Sequence, residues 1–401
     1  MIIKRNIIDS LYDEFNRREI SILLGARQVG RTFLLNKLKE KAVSKKLRVR
    51  SYNLEIPADI IKFNKPDVDI FEELTRDVDI LFIDEFHYLE NASKLFKAIY
   101  DSKKRVKIFA SGSSSIEIHK HLKESLAGRR LVSRIYPLSY DEFLQRGATK
   151  KSFETYLLYG GLPGLIHHNK KEEKIRLLNE ILETYIQKDI KSLIKEENIR
   201  AFNTLLYLLA ENQGSVTALS NLASDVGLTA KTINNHLSIL EQTYILFPLY
   251  SYAKNIGNEL KKSKKYYFYD LGIRNVLLKD FSPINQRNDA GVLNESFIFL
   301  QLQNRLKPNM ELKFWRNKQG DEIDFVILIN RKPFLIEVKT NINRLEIPTA
   351  MKTFIKKYPE TMGGVVFSNN IKGKLEFLNK SIVFMSHNKI NEFIDEFVSS
   401  N

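Results

Sequence analysis

Over the first 145 residues, short uninterrupted apolar runs alternate with stretches of helical period. Ile20-Ser21-Ile22-Leu23-Leu24, Ile80-Leu81-Phe82-Ile83 and Val106-Lys107-Ile108-Phe109-Ala110 have strand length, and Leu47–Leu54 is a plausible further strand. Buried strands separated by helices predict an α/β unit built on a parallel sheet. From about 146 to 212 the period is helical, with Tyr156-Leu157-Leu158 and Ile181–Ile186 supplying apolar faces. Lys188–Lys195 mixes charge signs, as an exposed helix does.

Between 213 and 240 the pattern predicts a helix-turn-helix. A first helix runs through Val216–Ala223, Asp225-Val226-Gly227-Leu228 makes the turn, and Thr229 caps a second helix ending at Leu240. Ile233, Leu237 and Leu240 face inward, leaving Lys231, Thr232, Asn234, Asn235 and His236 for a DNA groove. Ile245–Leu249 and Lys265–Tyr269 would form a wing hairpin, with Lys261, Lys262, Lys264 and Lys265 for phosphates. A winged helix used only for protein packing is the alternative.

Further on, Gly320–Leu328 and Phe334–Lys339 flank Asn330-Arg331-Lys332-Pro333 and predict a hairpin. With the turn centred between Arg331 and Lys332, Asp324 lies opposite Lys339 and Val326 opposite Glu337. Asp324, Glu337 and Lys339 then share one face. A slip of one residue would send Asp324 to the other side. Glu295 comes from a preceding helix. An ordinary Asp–Lys pair on a solvent-facing strand is the plain alternative.

The candidate chemistry centres on Gly25-Ala26-Arg27-Gln28-Val29-Gly30-Arg31-Thr32, a glycine-bracketed loop between the first strand and a helix start. Glycines let the chain bend around phosphates, and backbone N–H groups at the positive helix end face the anion. Thr32 offers a hydroxyl to Mg²⁺. Arg31 stands where a lysine is expected, a planar fork in place of a compact ammonium. Asp84 and Glu85 close the Ile80–Ile83 strand, where ligands bind in open α/β sheets. Asp84 would hold Mg²⁺ and Glu85 would orient water, an acidic helix cap being the alternative. Ser113, in Ser111–Ser115, reaches toward a γ-phosphate or caps a helix. Arg129 would neutralise charge on a transferred phosphoryl group, within the chain or across to a neighbour.

These segments recur in one order with Pro137–Phe143 and Tyr159-Gly160-Gly161-Leu162-Pro163-Gly164. Together they resemble the bacterial and archaeal AAA-superfamily ATPases that carry a C-terminal domain of unknown function, of the DUF4143 type. That resemblance covers nearly the whole chain. It implies a P-loop AAA-type core (1–145), a helical region (146–212), a winged helix (213–282) and a restriction-endonuclease-like α/β domain (283–401). It implies ATP and Mg²⁺ as cofactors. Asp324, then Glu337-x-Lys339, resembles the metal-dependent nucleases of the restriction-endonuclease type. There Asp324 and Glu337, with Glu295, would ligate Mg²⁺ while Lys339 activates water or stabilises the developing charge. Arg31 is the departure from the family pattern, and it bears on hydrolysis more than on binding.

Composition narrows the classes. The 401 residues are 43% hydrophobic and 28% charged, which is that of a globular protein of two to four domains. With no cysteine, disulfides, thiolate metal sites and cysteine nucleophiles are excluded. Met1–Asn6 reaches charge too soon for a signal peptide, and no apolar stretch spans a bilayer, so a cytoplasmic protein without a membrane partner is expected. The net charge of +15 suits DNA. A second copy of the chain or another protein is an open partner. His87, His119, His121, His167 and His168 read as surface or packing residues, because no ligand set at metal spacing surrounds them. Three functions follow: a slow ATPase coupling nucleotide state to DNA or partner engagement; a non-catalytic nucleotide-gated scaffold; or a Mg²⁺-dependent nuclease gated by ATP.

Overall fold

The computed structural model describes residues 2–89, 91–113, 126–185, 199–253 and 264–400, with the side chains of 113 and 398–400 left out. Ser114, Ser115, His119, His121, Lys188–Lys195, Lys261 and Lys262 lie outside the described residues.

The N-terminal third is a parallel sheet of five strands. These are β1 (Ile20–Gly25), β2 (Val49–Asn53), β3 (Ile80–Asp84), β4 (Lys107–Ser113) and β5 (Arg130–Arg134). They lie side by side in the order β2-β3-β4-β1-β5, every pair parallel. Every residue of β1 and of β3 is buried, the environment that continuous apolar strands require. Phe82 stacks on Phe109 across adjacent strands at 5.6 Å. This is the parallel α/β sheet that the alternation of runs predicts.

Helices fill the middle, including Ser152–Tyr159, Lys171–Tyr185 and Ile199–Glu211. The helix-turn-helix expectation maps to Leu219–Val226 and Ala230–Gln242, where Thr229 Oγ1 accepts from Thr232 N at 3.2 Å as cap. Lys231, Asn234 and Asn235 are exposed. His236 departs from the expectation: it is buried edge-on against Phe202, with ring centroids 5.4 Å apart. Helical period alone left it at the border of the polar face; packing of the Ile199–Glu211 helix decided it.

β6 (Leu246–Ser251) and β7 (Lys265–Phe268) pair antiparallel, as the wing expectation requires. They do not stand free. β6 also pairs parallel with β8 (Met310–Arg316), which runs antiparallel to β9 (Glu322–Ile329). With β10 (Lys332–Val338), β11 (Gly363–Phe367), β12 (Gly373–Phe377) and β13 (Lys380–Met385), they form one mixed sheet ordered β12-β13-β11-β10-β9-β8-β6-β7.

The β9–β10 hairpin corrects the expected register by two residues. Ile329 faces Lys332 and Phe325 faces Ile336, so the turn centres on Asn330-Arg331, both with left-handed φ of 49° and 67°. Two such residues make the two-residue turn whose twist suits a hairpin. Continued outward, this register sets Glu337, not Lys339, across from Asp324. Because the shift is even, Asp324, Glu337 and Lys339 keep their common face.

The Tyr159–Gly164 segment is where the helical region grips the core. Asp270 caps the helix Leu271–Leu278, its Oδ1 accepting from Gly272 N at 2.8 Å and its Oδ2 from Gly161 N at 2.7 Å. A Cβ at Gly160 would lie 2.1 Å from that carboxylate, and Gly160 has φ of 74°. Tyr156 Oη donates to Leu138 O at 2.6 Å in the same joint.

Candidate functional sites

Gly25 ends β1, and a Cβ there would lie 2.3 Å from Ile135 O, so only glycine passes. Ala26 and Val29 are buried and anchor the loop, while Gln28 is exposed. Gln28 and Gly30 take left-handed φ of 64° and 93°. The helix Arg31–Ser44 then starts at once, with Gly30 as an N-cap that makes no side-chain hydrogen bond and no acid in the first turn. Its first N–H groups are left for an outside acceptor at the positive end of the helix.

Arg5 braces this loop from beneath. Its Nη1 donates to Val29 O at 2.8 Å, its Nη2 to Tyr136 O at 2.7 Å, and its Nε lies 3.2 Å from Glu142 Oε1. Arg27 lies 4.0 Å from Glu55. Thr32 is on the exposed first turn of the helix.

The acids stand two strands away, because β4 lies between β1 and β3. Ser111 Oγ, on β4, donates to Asp84 Oδ1 and accepts from Glu85 N at 3.4 Å. Glu85 has a left-handed φ of 54°, which turns its side chain off the strand line. Arg31 Nη2 donates to Glu85 Oε1 at 2.8 Å, and both side chains are buried. His87 Nδ1 lies 3.1 Å from Glu85 Oε2. Arg31 Nη1 is buried with no hydrogen-bond partner among the described residues. Such a donor is costly to bury unless something outside the protein accepts from it.

Ser113 pairs by backbone with Gly25. Arg129 is a correction: it precedes β5 and pairs with Asp101 at 2.8 Å, and its carbonyl accepts from Ile20 N at the start of β1. The loop is at the other end of that strand, roughly 17 Å away at about 3.3 Å per residue, so Arg129 does not reach the loop of its own chain. Arg134, in register with Leu24, is the arginine at the loop end of β5.

A second cluster stands on the mixed sheet. Asp324 and Glu322 come from β9, Glu337 from β10, Glu295 from the helix Ala290–Arg305, and Lys265 and Tyr267 from β7. Lys339 Nζ lies 2.7 Å from Glu337 Oε1, and Asp324 Oδ2 accepts from Val338 N at 2.7 Å. Lys265 is 1% exposed, its Nζ 2.6 Å from Glu322 Oε1 and 3.3 Å from Glu295 Oε1. Tyr267 Oη donates to Glu295 Oε1 at 2.5 Å. Glu337 Oε2 is buried without a partner among the described residues.

Burial first, then the Asp324 charge, pushes Glu295 up to about 7 and Glu337 up to about 8. Burial likewise raises Asp324. For Lys265, burial opposes the charge but the carboxylates of Glu295, Asp324 and Glu322 outweigh it, and its pKa rises. Lys265 thus corrects the expectation of a phosphate-contacting wing lysine. A run of lysines reads as solvated, and nothing local announces partners 30 and more residues ahead.

The expected metal ligands Glu295, Asp324 and Glu337 are neighbours, yet their oxygens do not converge. Among the described residues, no three acidic, histidine or cysteine groups are arranged to hold a metal ion. The observed contacts of Arg5, Ser111, Lys265 and Tyr267 escaped sequence reasoning for one reason: each acts on groups far along the chain.

Family comparisons divide the chain in the same order. An AAA domain matches residues 17–144, a domain of unknown function (DUF8612) matches 150–283, and a domain of unknown function (DUF4143) matches 290–385. An uncharacterized protein of Methanocaldococcus jannaschii is 25% identical over 370 residues, covering 84% of this chain and 78% of that one. An uncharacterized protein of Mycobacterium tuberculosis is 23% identical over 342 residues, covering 84% and 74%. Among solved structures, AMPPCP-bound DnaA from Aquifex aeolicus overlays 59% of this chain and 86% of its own, at 15% identity and a TM-score of 0.33. No helix among the described residues is long and apolar enough to cross a membrane.

Proposed function

We propose that this chain, which matches an AAA domain over residues 17–144 and a DUF4143 domain over 290–385, is a slow ATPase whose nucleotide state governs engagement of DNA or a partner protein. The observation that carries the reading is Arg31: one guanidinium nitrogen is committed to Glu85, and the other is buried without a partner among the described residues, at the first turn of an open helix terminus. A β- or γ-phosphate oxygen is the acceptor that position lacks. Backbone N–H groups from Gly30 to Thr32 would hold the neighbouring oxygens.

The donor set suits Mg²⁺, a hard cation that takes oxygen ligands. The Thr32 hydroxyl and Asp84, held by Ser111, are the groups for it, and the ion would neutralise phosphate charge. Glu85 is the residue to orient water, with His87 beside it. Its ion pair with Arg31 neutralises the charge that the task needs, and slow turnover follows.

Calorimetry with ATP and Mg²⁺ tests binding: no heat with any adenine or guanine nucleotide would end this reading. Phosphate release then tests hydrolysis. Equal nucleotide affinity in wild type and Glu85→Gln, with no phosphate from either, makes the protein a non-catalytic nucleotide-gated scaffold.

For DNA, the exposed Lys231, Asn234 and Asn235 on one helix support groove contact. Lys264 is drawn partly to Glu241 at 3.3 Å. Binding that does not weaken between two salt concentrations, or that Lys231→Ala leaves unchanged, excludes it. Cleavage by the Asp324, Glu337 and Lys339 group is the third reading, and nicking that survives Asp324→Ala disposes of it.

A further inference from the structure

A cleft of about 990 Å³ opens at the amino ends of β1, β3 and β4, the edge of the parallel sheet opposite the glycine loop. Seven cations and two acids line it. Arg17 and Arg18 precede β1, Lys45 follows the helix Arg31–Ser44, and the run Lys103–Arg105 leads into Lys107 at the start of β4.

Both acids are neutralised from outside the cleft. Asp79 pairs with Arg48 and Asp101 with Arg129, each at 2.8 Å. Lys104 is taken by Glu72 at 2.9 Å, and Arg18 Nη2 donates to Tyr100 O at 2.8 Å. Arg17, Lys45, Lys103 and Arg105 are exposed and make no ion pair among the described residues. Two helix C-termini, at Ser44 and Asp101, draw cations here by their dipoles. About half a charge at each falls well short of four unpaired cations.

Lys107 is the floor. It is buried, its Nζ donating to Glu19 O at 2.5 Å. Burial pulls its pKa down to about 8, with Arg17 acting the same way and Glu14 and Glu19 opposing. An anion beside it would favour the charged ammonium. The cleft also carries flat surfaces. Arg18 and Arg129 both lie against the Tyr100 ring, 4.9 and 5.8 Å from its centre, and Lys45 lies 5.5 Å from that of Phe15.

We propose that this cleft binds single-stranded nucleic acid, with Arg17, Lys45, Lys103 and Arg105 contacting phosphates and the Arg18–Tyr100 surface stacking a base. Charge alone would suit an acidic protein segment equally, but bases stack on guanidinium and aromatic planes and carboxylates do not. Shape decides against a duplex, whose stiff cylinder would rest on the rim and leave Lys107 unreached. The inference depends neither on nucleotide at the loop nor on groove contact by Lys231.

The test is the fluorescence anisotropy of a labelled oligothymidylate of about twelve nucleotides, mixed with the full chain and no added nucleotide. Parent affinity should fall as salt rises, with a double-logarithmic slope of about −3, as about four phosphates of a single strand give. Arg17→Glu with Arg105→Glu should weaken binding at least about tenfold and make the slope shallower by about one. Lys372→Glu with Lys374→Glu, the same change in net charge at exposed positions beside β12, should bind as the parent does. No binding, equal loss in the two double variants, or displacement by polyglutamate as readily as by unlabelled oligothymidylate overturns the proposal. So does duplex binding that the cleft variant weakens as much as single-strand binding. If charge reversal lowers the melting temperature, Arg17→Gln with Lys103→Gln replaces it, and a loss there of less than about threefold overturns the proposal equally.

Discussion

Arg31 and Glu85 hold each other in a buried ion pair, and both ends of that contact are open to test. Lysine at position 31 keeps the charge but is too compact to fork between carboxylate and phosphate. Arg31→Lys should therefore free Glu85 and raise steady-state phosphate release about tenfold, which is about 1.4 kcal/mol of barrier. No gain would remove this explanation of slow turnover. Glu85→Gln should abolish release while leaving ATP affinity within about threefold, since the carboxylate is asked to act on water and not on the nucleotide.

Arg5 works differently, as a brace. Replacing it with Met strips Val29 O and Tyr136 O of their donors and leaves Glu142 buried without its cation. A loss of about 3 kcal/mol in urea denaturation is expected, together with weaker nucleotide binding. Asp270 supplies the pH dependence. Burial pushes its carboxyl up to about 6 from 3.8, against the backbone N–H groups that favour its charge. The folded chain then binds more protons than the unfolded one between pH 4 and 6, so this group's contribution to stability falls as pH rises through that window. Wild type should gain about 2 kcal/mol relative to Asp270→Asn on going from pH 7 to pH 4.5, read from paired denaturation curves. A constant difference would refute the burial argument.

Elements follow rules that local sequence carries. The second helix of the helix-turn-helix starts where Thr229 caps it, and Thr229→Ala should lower the melting temperature through a loss of about 1 kcal/mol. The β9–β10 hairpin shows where local rules stop. Its apolar and polar alternation was legible, and so was the common face of Asp324, Glu337 and Lys339. The turn position was not, because Arg331-Lys332 and Asn330-Arg331 preserve the same faces. Only the left-handed φ at Asn330 and Arg331 separates them. Arg331→Gly should accordingly stabilise the hairpin by roughly 1 kcal/mol, since glycine takes that conformation without strain.

At the scale of the molecule, the eight-stranded sheet matters most. Because β6 bonds both β7 and β8, the hairpin after the helix-turn-helix is part of the C-terminal domain's own sheet. Asp270 ties the helix after β7 back to Gly161, beside the AAA core. Leu138 N donates in turn to Gly161 O at 2.7 Å, so the N-terminal domain, the Tyr159–Gly164 segment and the helix after β7 meet at one joint. Saturating ATP and Mg²⁺ should raise the melting temperature of the whole chain, and an unchanged midpoint would argue against a nucleotide-binding folded state.

The sequence by itself determined the parallel core, the loop and its two acids, the helix-turn-helix and the shared face of the C-terminal acids. Each depends on periodicity, glycine placement or capping, which act within a few residues. Tertiary structure alone decided that Arg129 faces away from the loop, that His236 turns inward, that Arg31 grips Glu85, and that Lys265 lies buried among acids. Those outcomes rest on which distant side chains share a low-dielectric space, and a charge reads as solvated until its partners arrive from elsewhere in the chain.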